Sequence, residues 1–193
     1  MKLIILIISI FATGSLYGQT KSSYLHFNKL TEIRGSAYVF AQTEERGKGM
    51  STHQKHLLFI NTQSGETRQV DFPKEAYIEE VKQVKIDSLG INCLIVFART
   101  GSFNEKKGIS RSDPKQVMVL STDGKEKVQL TEDSFFSRSW AVNQQTGRLV
   151  IVGHHDSNGN HKYDKKDKEG ILIYDLKTLR LVTGNNASVA DTE

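Results

Sequence analysis

Short apolar runs, four to six residues long and rich in β-branched and aromatic side chains, recur along this chain between polar stretches. Three segments repeat one order. The first holds Tyr38-Val-Phe-Ala-Gln42, a polar stretch, Leu57-Leu-Phe-Ile-Asn61, Ser64-Gly65 and Glu66–Val70. The second holds Leu94-Ile-Val-Phe-Ala-Arg99, a polar stretch, Val117-Met-Val-Leu-Ser121, Asp123-Gly124 and Lys125–Leu130. The third holds Leu149-Val-Ile-Val-Gly153, a polar stretch, Ile171-Leu-Ile-Tyr-Asp175, Lys177-Thr178 and Leu179–Val182. Aligning Ala41, Ala98 and Gly153 gives spacings of 57 and 55, and aligning Leu57, Val117 and Ile171 gives 60 and 54.

Runs of this length and composition, bounded by Gly, Asn, Asp and Ser, are strand signals. Ser64-Gly65 and Asp123-Gly124 supply the positive φ of tight hairpin turns. A further strand is expected before each copy, at Tyr24–Leu30, Val81–Asp87 and Ser139–Asn143, with 74–80 a connection. The fold class is therefore all-β: antiparallel four-stranded blades repeated three times, propeller-like and open or partial. Equivalent burial of Phe40, Phe59, Phe97, Val152 and Tyr174 is expected to follow from the repeat.

The stretch 117–152, from the end of the second copy into the third, carries a family resemblance. Val117-Met-Val-Leu-Ser-Thr-Asp-Gly-Lys, Val128-Gln-Leu-Thr131, Ser139-Trp140 and Gly147–Val152 resemble the repeat of TolB-like β-propellers, with a "DG" turn, a "QLT" strand and a "W" strand. Gln144-Gln-Thr-Gly147 stands where that family places a "DGK"-type turn. The resemblance implies a propeller and does not specify an activity. Propellers use about 4–8 blades, whereas this pattern contains three. Three arrangements follow: an open fan, a homodimer of two chains completing a ring, or a ring with blades from another partner.

Composition adds few constraints. The 193 residues are 37% hydrophobic and 25% charged, which suits one folded domain rather than a disordered or fibrous chain. The net charge of +4 is spread thinly, so no basic run suggests nucleic acid. The single cysteine, Cys93, excludes an internal disulfide and any multi-cysteine metal site. It reads as a small buried hydrophobe, and Trp140 as blade core.

Leu3–Ala12 is apolar except for Ser9, follows Lys2, and precedes Thr13, Gly14, Ser15 and Gly18. This is the layout of a secretory signal peptide, and the run is too short for a bilayer span of roughly 20 residues. Residues 1–18 are therefore expected to be removed after Gly18, or after Gly14, giving a secreted or periplasmic product. The repeat domain is 19–184, and 185–193 form a polar tail.

The loop with the most chemistry is 156–167. Calcium takes six to eight hard oxygen ligands, and a 12-residue EF-hand-type loop supplies them from positions 1, 3, 5, 7, 9 and 12. Those positions hold Asp156, Asn158, Asn160, Lys162 (through its carbonyl), Asp164 and Asp167. His161 replaces the usual glycine at position 6, and Asp167 replaces glutamate at position 12, as in related dockerin loops. Lys162, Lys165, Lys166 and Lys168 oppose the cation, and the same residues also suit a plain polar hairpin. Ca²⁺ is the expected ion, because an all-oxygen set disfavours transition metals. His154-His155 does not make a zinc pair, since adjacent strand residues point to opposite faces. There is no G-x-S-x-G, P-loop or H-E-x-x-H pattern. The sequence reads as a binding or scaffold module, with a protein or carbohydrate partner. The rival reading is a propeller-type hydrolase or lyase.

Overall fold

A computed structural model describes residues 25–45, 53–73, 76–101, 109, 113–160 and 162–186. These contain three four-stranded sheets, each a meander of consecutive antiparallel strands. Blade A is β1 (Leu25–Glu32), β2 (Tyr38–Glu45), β3 (His53–Asn61) and β4 (Thr67–Asp71). Blade B is β5 (Tyr77–Ile86), β6 (Ile91–Arg99), β7 (Gln116–Ser121) and β8 (Lys127–Gln129). Blade C is β9 (Phe135–Asn143), β10 (Arg148–His155), β11 (Lys168–Asp175) and β12 (Arg180–Asn186). The only helical element among the described residues is a 3-10 turn, Asp87–Leu89. The all-β, three-blade expectation is met, and the sheets do not close into a ring.

The expected strand at Val81–Asp87 begins earlier, at Tyr77, because nine of the ten residues from Tyr77 to Ile86 pair along β6. The expected connection at 74–80 is thus corrected from Tyr77 onward, where Glu79 stands at a bulge in that ladder. Residues 1–18, expected to form a signal peptide, lie outside the described residues. Asn185 and Asn186 continue β12 opposite Ile171 and Gly170.

Turn geometry sets the correspondence between blades. Asn61, Ser121 and Asp175 each end the third strand of a blade and open the turn to the fourth. Their cross-strand partners are Tyr38, Cys93 and Arg148. The third-strand spacings of 60 and 54 agree with the sequence alignment, but the second-strand spacing is 55 in both steps. Ala41 thus corresponds to Val96 rather than to Ala98. This correction is two residues, so every side chain keeps its face.

Each blade has two faces that can be followed through the repeat. The leading face carries Phe40, Leu57 and Phe59 in blade A, Ile95, Phe97, Val117 and Val119 in blade B, and Val150, Val152, Ile171 and Ile173 in blade C. The trailing face carries Val39, Ala41, Leu58 and Ile60 in A, Leu94, Val96, Ala98, Met118 and Leu120 in B, and Leu149, Ile151, Leu172 and Tyr174 in C. One core cluster joins the leading face of A to the trailing face of B. A second joins the leading face of B to the trailing face of C.

Blade B is therefore buried on both sides, which is why Leu94–Ala98 is a continuous apolar run rather than an alternating one. Polar contacts fix the same stacking. Gln83 receives the Arg34 amide at 3.0 Å and donates to the Arg34 carbonyl at 2.8 Å. Across the second seam the Tyr174 hydroxyl donates to the Leu130 carbonyl at 2.5 Å, and the Lys82 ammonium lies 5.2 Å from the centre of the Trp140 ring.

The burial expectation holds for four of its five residues and fails at the fifth. Phe40, Phe59, Phe97 and Tyr174 are buried, but Val152 is 40% exposed. Val152 lies on the leading face of blade C, on which no other blade packs among the described residues. Tyr174 is buried because it lies on the opposite, trailing face.

Candidate calcium loop and the surfaces around it

The 156–167 loop joins β10 to β11 at the end of blade C, from His155 opposite Lys168. Its root is tightly packed. An added Cβ at Gly153 would lie 2.4 Å from the Phe136 carbonyl, and one at Gly170 would lie 2.7 Å from the His155 ring. His155 meets Phe135 edge-on at 4.8 Å, while His154 meets Tyr163 edge-on at 4.7 Å. The two imidazoles therefore lie on opposite faces, as expected for neighbours in a strand. Sequence reasoning missed the association of His154 with Tyr163 and Glu169. Its only signal was an aromatic residue inside an otherwise polar loop.

Within the loop, side-chain oxygens collect backbone N–H groups. Asp156 Oδ1 and Asn158 Oδ1 both accept from the Asn160 amide, at 3.1 and 3.0 Å. Asn160 Oδ1 accepts from the Lys162 amide at 2.8 Å. The Asn158 and Asn160 side-chain amides donate to Asp164 Oδ2 at 3.2 and 2.6 Å. Asp167, 9% exposed, ties the two ends together by accepting from Ser157 N at 3.2 Å and from Asp164 N at 2.7 Å.

The Lys166 amide donating to Asp164, followed by the Asn160 and Asn158 amides, holds the Asp164 carboxyl below the usual carboxylate range. Hydrogen bonds to the ionised form explain that direction.

The six positions read from the sequence thus lie in one loop. Asn158, Asn160 and Asp164 come together, and Asp167 clasps both ends. Among the described residues no three His, Cys, Asp or Glu side chains gather around a common point. The glycine with positive φ is Gly159, at +64°, so the chain curls earlier than a loop with glycine at position 6 would. His161 lies outside the described residues.

Glu79 is shared by Arg99 at 3.1 Å and Lys115 at 2.9 Å, which joins three neighbouring segments of blade B. Burial pushes the Cys93 thiol up to about 11, and it agrees with the expected small buried hydrophobe. A groove of about 300 Å³ includes Phe72, Thr100, Lys127 and Asp133 beside the A–B seam. A second, of about 250 Å³, lies on the leading face of blade C and includes Arg138, Ser139, Val152 and Ile171.

Neither a protein-family model nor a curated protein sequence matches the chain. Among solved structures, the chain is similar to the Pyrococcus horikoshii acylaminoacyl peptidase. Identity is 10% and the TM-score 0.45, over 86% of this chain and 26% of that one. It is also similar to the β-propeller domain of the Trilobed protease from Pyrococcus furiosus, described as having an open velcro topology. There identity is 13% and the TM-score 0.43, over 87% of this chain and 46% of that one. The chain therefore spans between a quarter and a half of these structures. Likenesses of this grade carry no argument about activity, and the blade description rests on the strand pairing and the two core clusters.

Proposed function

We propose that this chain is an exported binding and scaffold module, a three-bladed propeller segment that works by presenting surfaces. The observation that carries this reading is the contrast between its blades. The middle blade buries both faces, while Val39, Leu58 and Ile60 at one end and Val150, Val152, Ile171 and Ile173 at the other stay partly open. Contiguous apolar faces left open on a folded chain mark interaction surfaces. Export rests on the apolar run Leu3–Ala12 behind Lys2.

The module reading includes a calcium-braced loop at 156–167. The donors are hard oxygens from Asp156, Asn158, Asn160, the Lys162 carbonyl, Asp164 and Asp167, which suit Ca²⁺ at the weak extracellular end, with Kd about 10⁻⁴–10⁻³ M. A bound ion would replace the Asn–Asp contacts as the brace of the loop.

The test of the module reading is the folding of face variants. V152K/I173K and L58K/I60K place charges on the open faces and should keep the far-UV circular dichroism of a strand protein. Loss of that spectrum in both variants would show that these side chains belong to the chain's own core and would contradict the reading.

A further inference from the structure

We propose that two copies of this chain close into a six-bladed ring, with the leading face of blade C of each copy seated on the trailing face of blade A of the other. The proposal rests on the module reading and names its partner. It starts from an order that the chain uses twice. A leading face packs on the next trailing face at the A–B seam and again at the B–C seam. The faces left over are one of each kind. Among the described residues, blade C keeps a partly open leading face and blade A a partly open trailing face.

The correspondence holds residue by residue. Ile173 of blade C matches Val119 and Phe59, and Ile60 of blade A matches Leu120 and Tyr174, by the turn-anchored register. Phe59 and Leu120 share one core cluster, and Val119 and Tyr174 share the other. A third seam of the same kind would therefore bring Ile173 of one copy to Ile60 of the other.

The leading face of C is grooved around Val152 and Ile171. The trailing face of A carries Leu30, 67% exposed, opposite Ala41 at its edge. An interface between unlike faces either closes into a ring or propagates as a filament. Blade number decides between these outcomes. One chain's three blades fall below the range of about 4–8 that closed propellers use, two copies fall inside it, and three copies exceed it. The two new seams are related by a two-fold axis, so no apolar face remains open.

Sedimentation of the full chain tests the proposal, with V152K/I173K and L58E/I60E as variants. The wild type should sediment at twice the chain mass at micromolar concentration. Each variant alone should be a monomer, because both seams of its homodimer pair a charged face with an apolar one. An equimolar mixture should recover the dimer. One of its seams is unchanged and the other sets lysines against glutamates.

A wild type that is monomeric, or that forms open-ended polymers, would overturn the two-copy ring. So would a dimer that both variants leave intact. A monomer whose face variants stay folded leaves the module reading standing, whereas face variants that unfold count against that reading as well. An uncharged measurement guards against variants that fail to fold. A chain carrying I60C and I173C should be cross-linked mainly to dimer by a short bis-maleimide, and a purely monomeric band would overturn the proposal.

Discussion

Replacing Gly124 by alanine places a methyl group 2.6 Å from the Phe59 ring, across the seam between blades A and B. Gly124 lies within the β7–β8 turn at φ +70°, and Phe59 is fully buried, so neither side can yield cheaply. The left-handed backbone costs an alanine roughly 1–2 kcal/mol, and overpacking adds roughly 1–3 kcal/mol. For a chain of this length, each kcal/mol shifts Tm by about 2–4 °C. Gly124→Ala should therefore lower Tm by on the order of 10 °C.

Phe59→Ala alone should cost about 3–5 kcal/mol as a buried aromatic deletion. The decisive quantity is the double variant. Removing the ring makes room for the new methyl group, so the clash disappears while the turn strain remains. The double variant should be more stable than the sum of the single effects implies, by roughly 1–3 kcal/mol. Urea unfolding of the four proteins measures that difference. Additivity within about 0.5 kcal/mol would show that the two positions are not in contact, and the A–B seam as described would be wrong.

Four further outcomes follow. Asp167→Ala leaves the Ser157 and Asp164 amides without their shared acceptor at a buried position and should cost about 1–3 kcal/mol by thermal melting. Calcium at millimolar concentration should raise Tm by a few degrees, about 1.4 kcal/mol at ten times Kd; Asp156→Ala should abolish the rise, and no rise in the wild type would refute the braced loop. Cys93, with its thiol pushed up to about 11, should react with a thiol reagent at pH 8 only as fast as the fold opens, and much faster in denaturant. The Lys166 amide depresses Asp164, and the Thr178 amide, then Lys177 and Arg148, depress Asp175. Their stabilisation is present above the ordinary carboxylate value of about 3.9 and is lost as pH falls through the depressed values. Melting should thus be nearly flat from neutral to about pH 4 and fall below it.

The repeat was legible because each blade must bury apolar residues at alternate positions, and turn residues punctuate it at fixed places. Asp123-Gly124 and Ser64-Gly65 sit in the tight turns their chemistry demands. What a single-chain pattern does not encode is which repeat has a neighbour. Val152 has the same composition and spacing as its buried counterparts, and its exposure comes only from its place in the last blade. The start of β5 was masked by Glu79 and Glu80, since glutamate is depleted in strands, and Glu79 stands at a bulge in the ladder with β6. In the 156–167 loop the oxygen-rich spacing was readable. The internal amide-to-carboxylate contacts were not, because such residues satisfy one another as readily as they ligate an ion.

The blades stack A on B and B on C, with the outer two faces free of the chain's own core. Methyl–methyl nuclear Overhauser contacts report this order. Contacts should link the methyl groups of Leu57 and Val70 to the set Leu94, Val96 and Leu120. Contacts should likewise link Ile95, Val117 and Val119 to Leu149, Ile151 and Leu172. Within one chain, Leu58 and Ile60 should show none to Val150, Val152, Ile171 or Ile173. Contacts from Ile95 or Val119 to Leu57 would mean that the faces of blade B are reversed, and the stacking order would be contradicted.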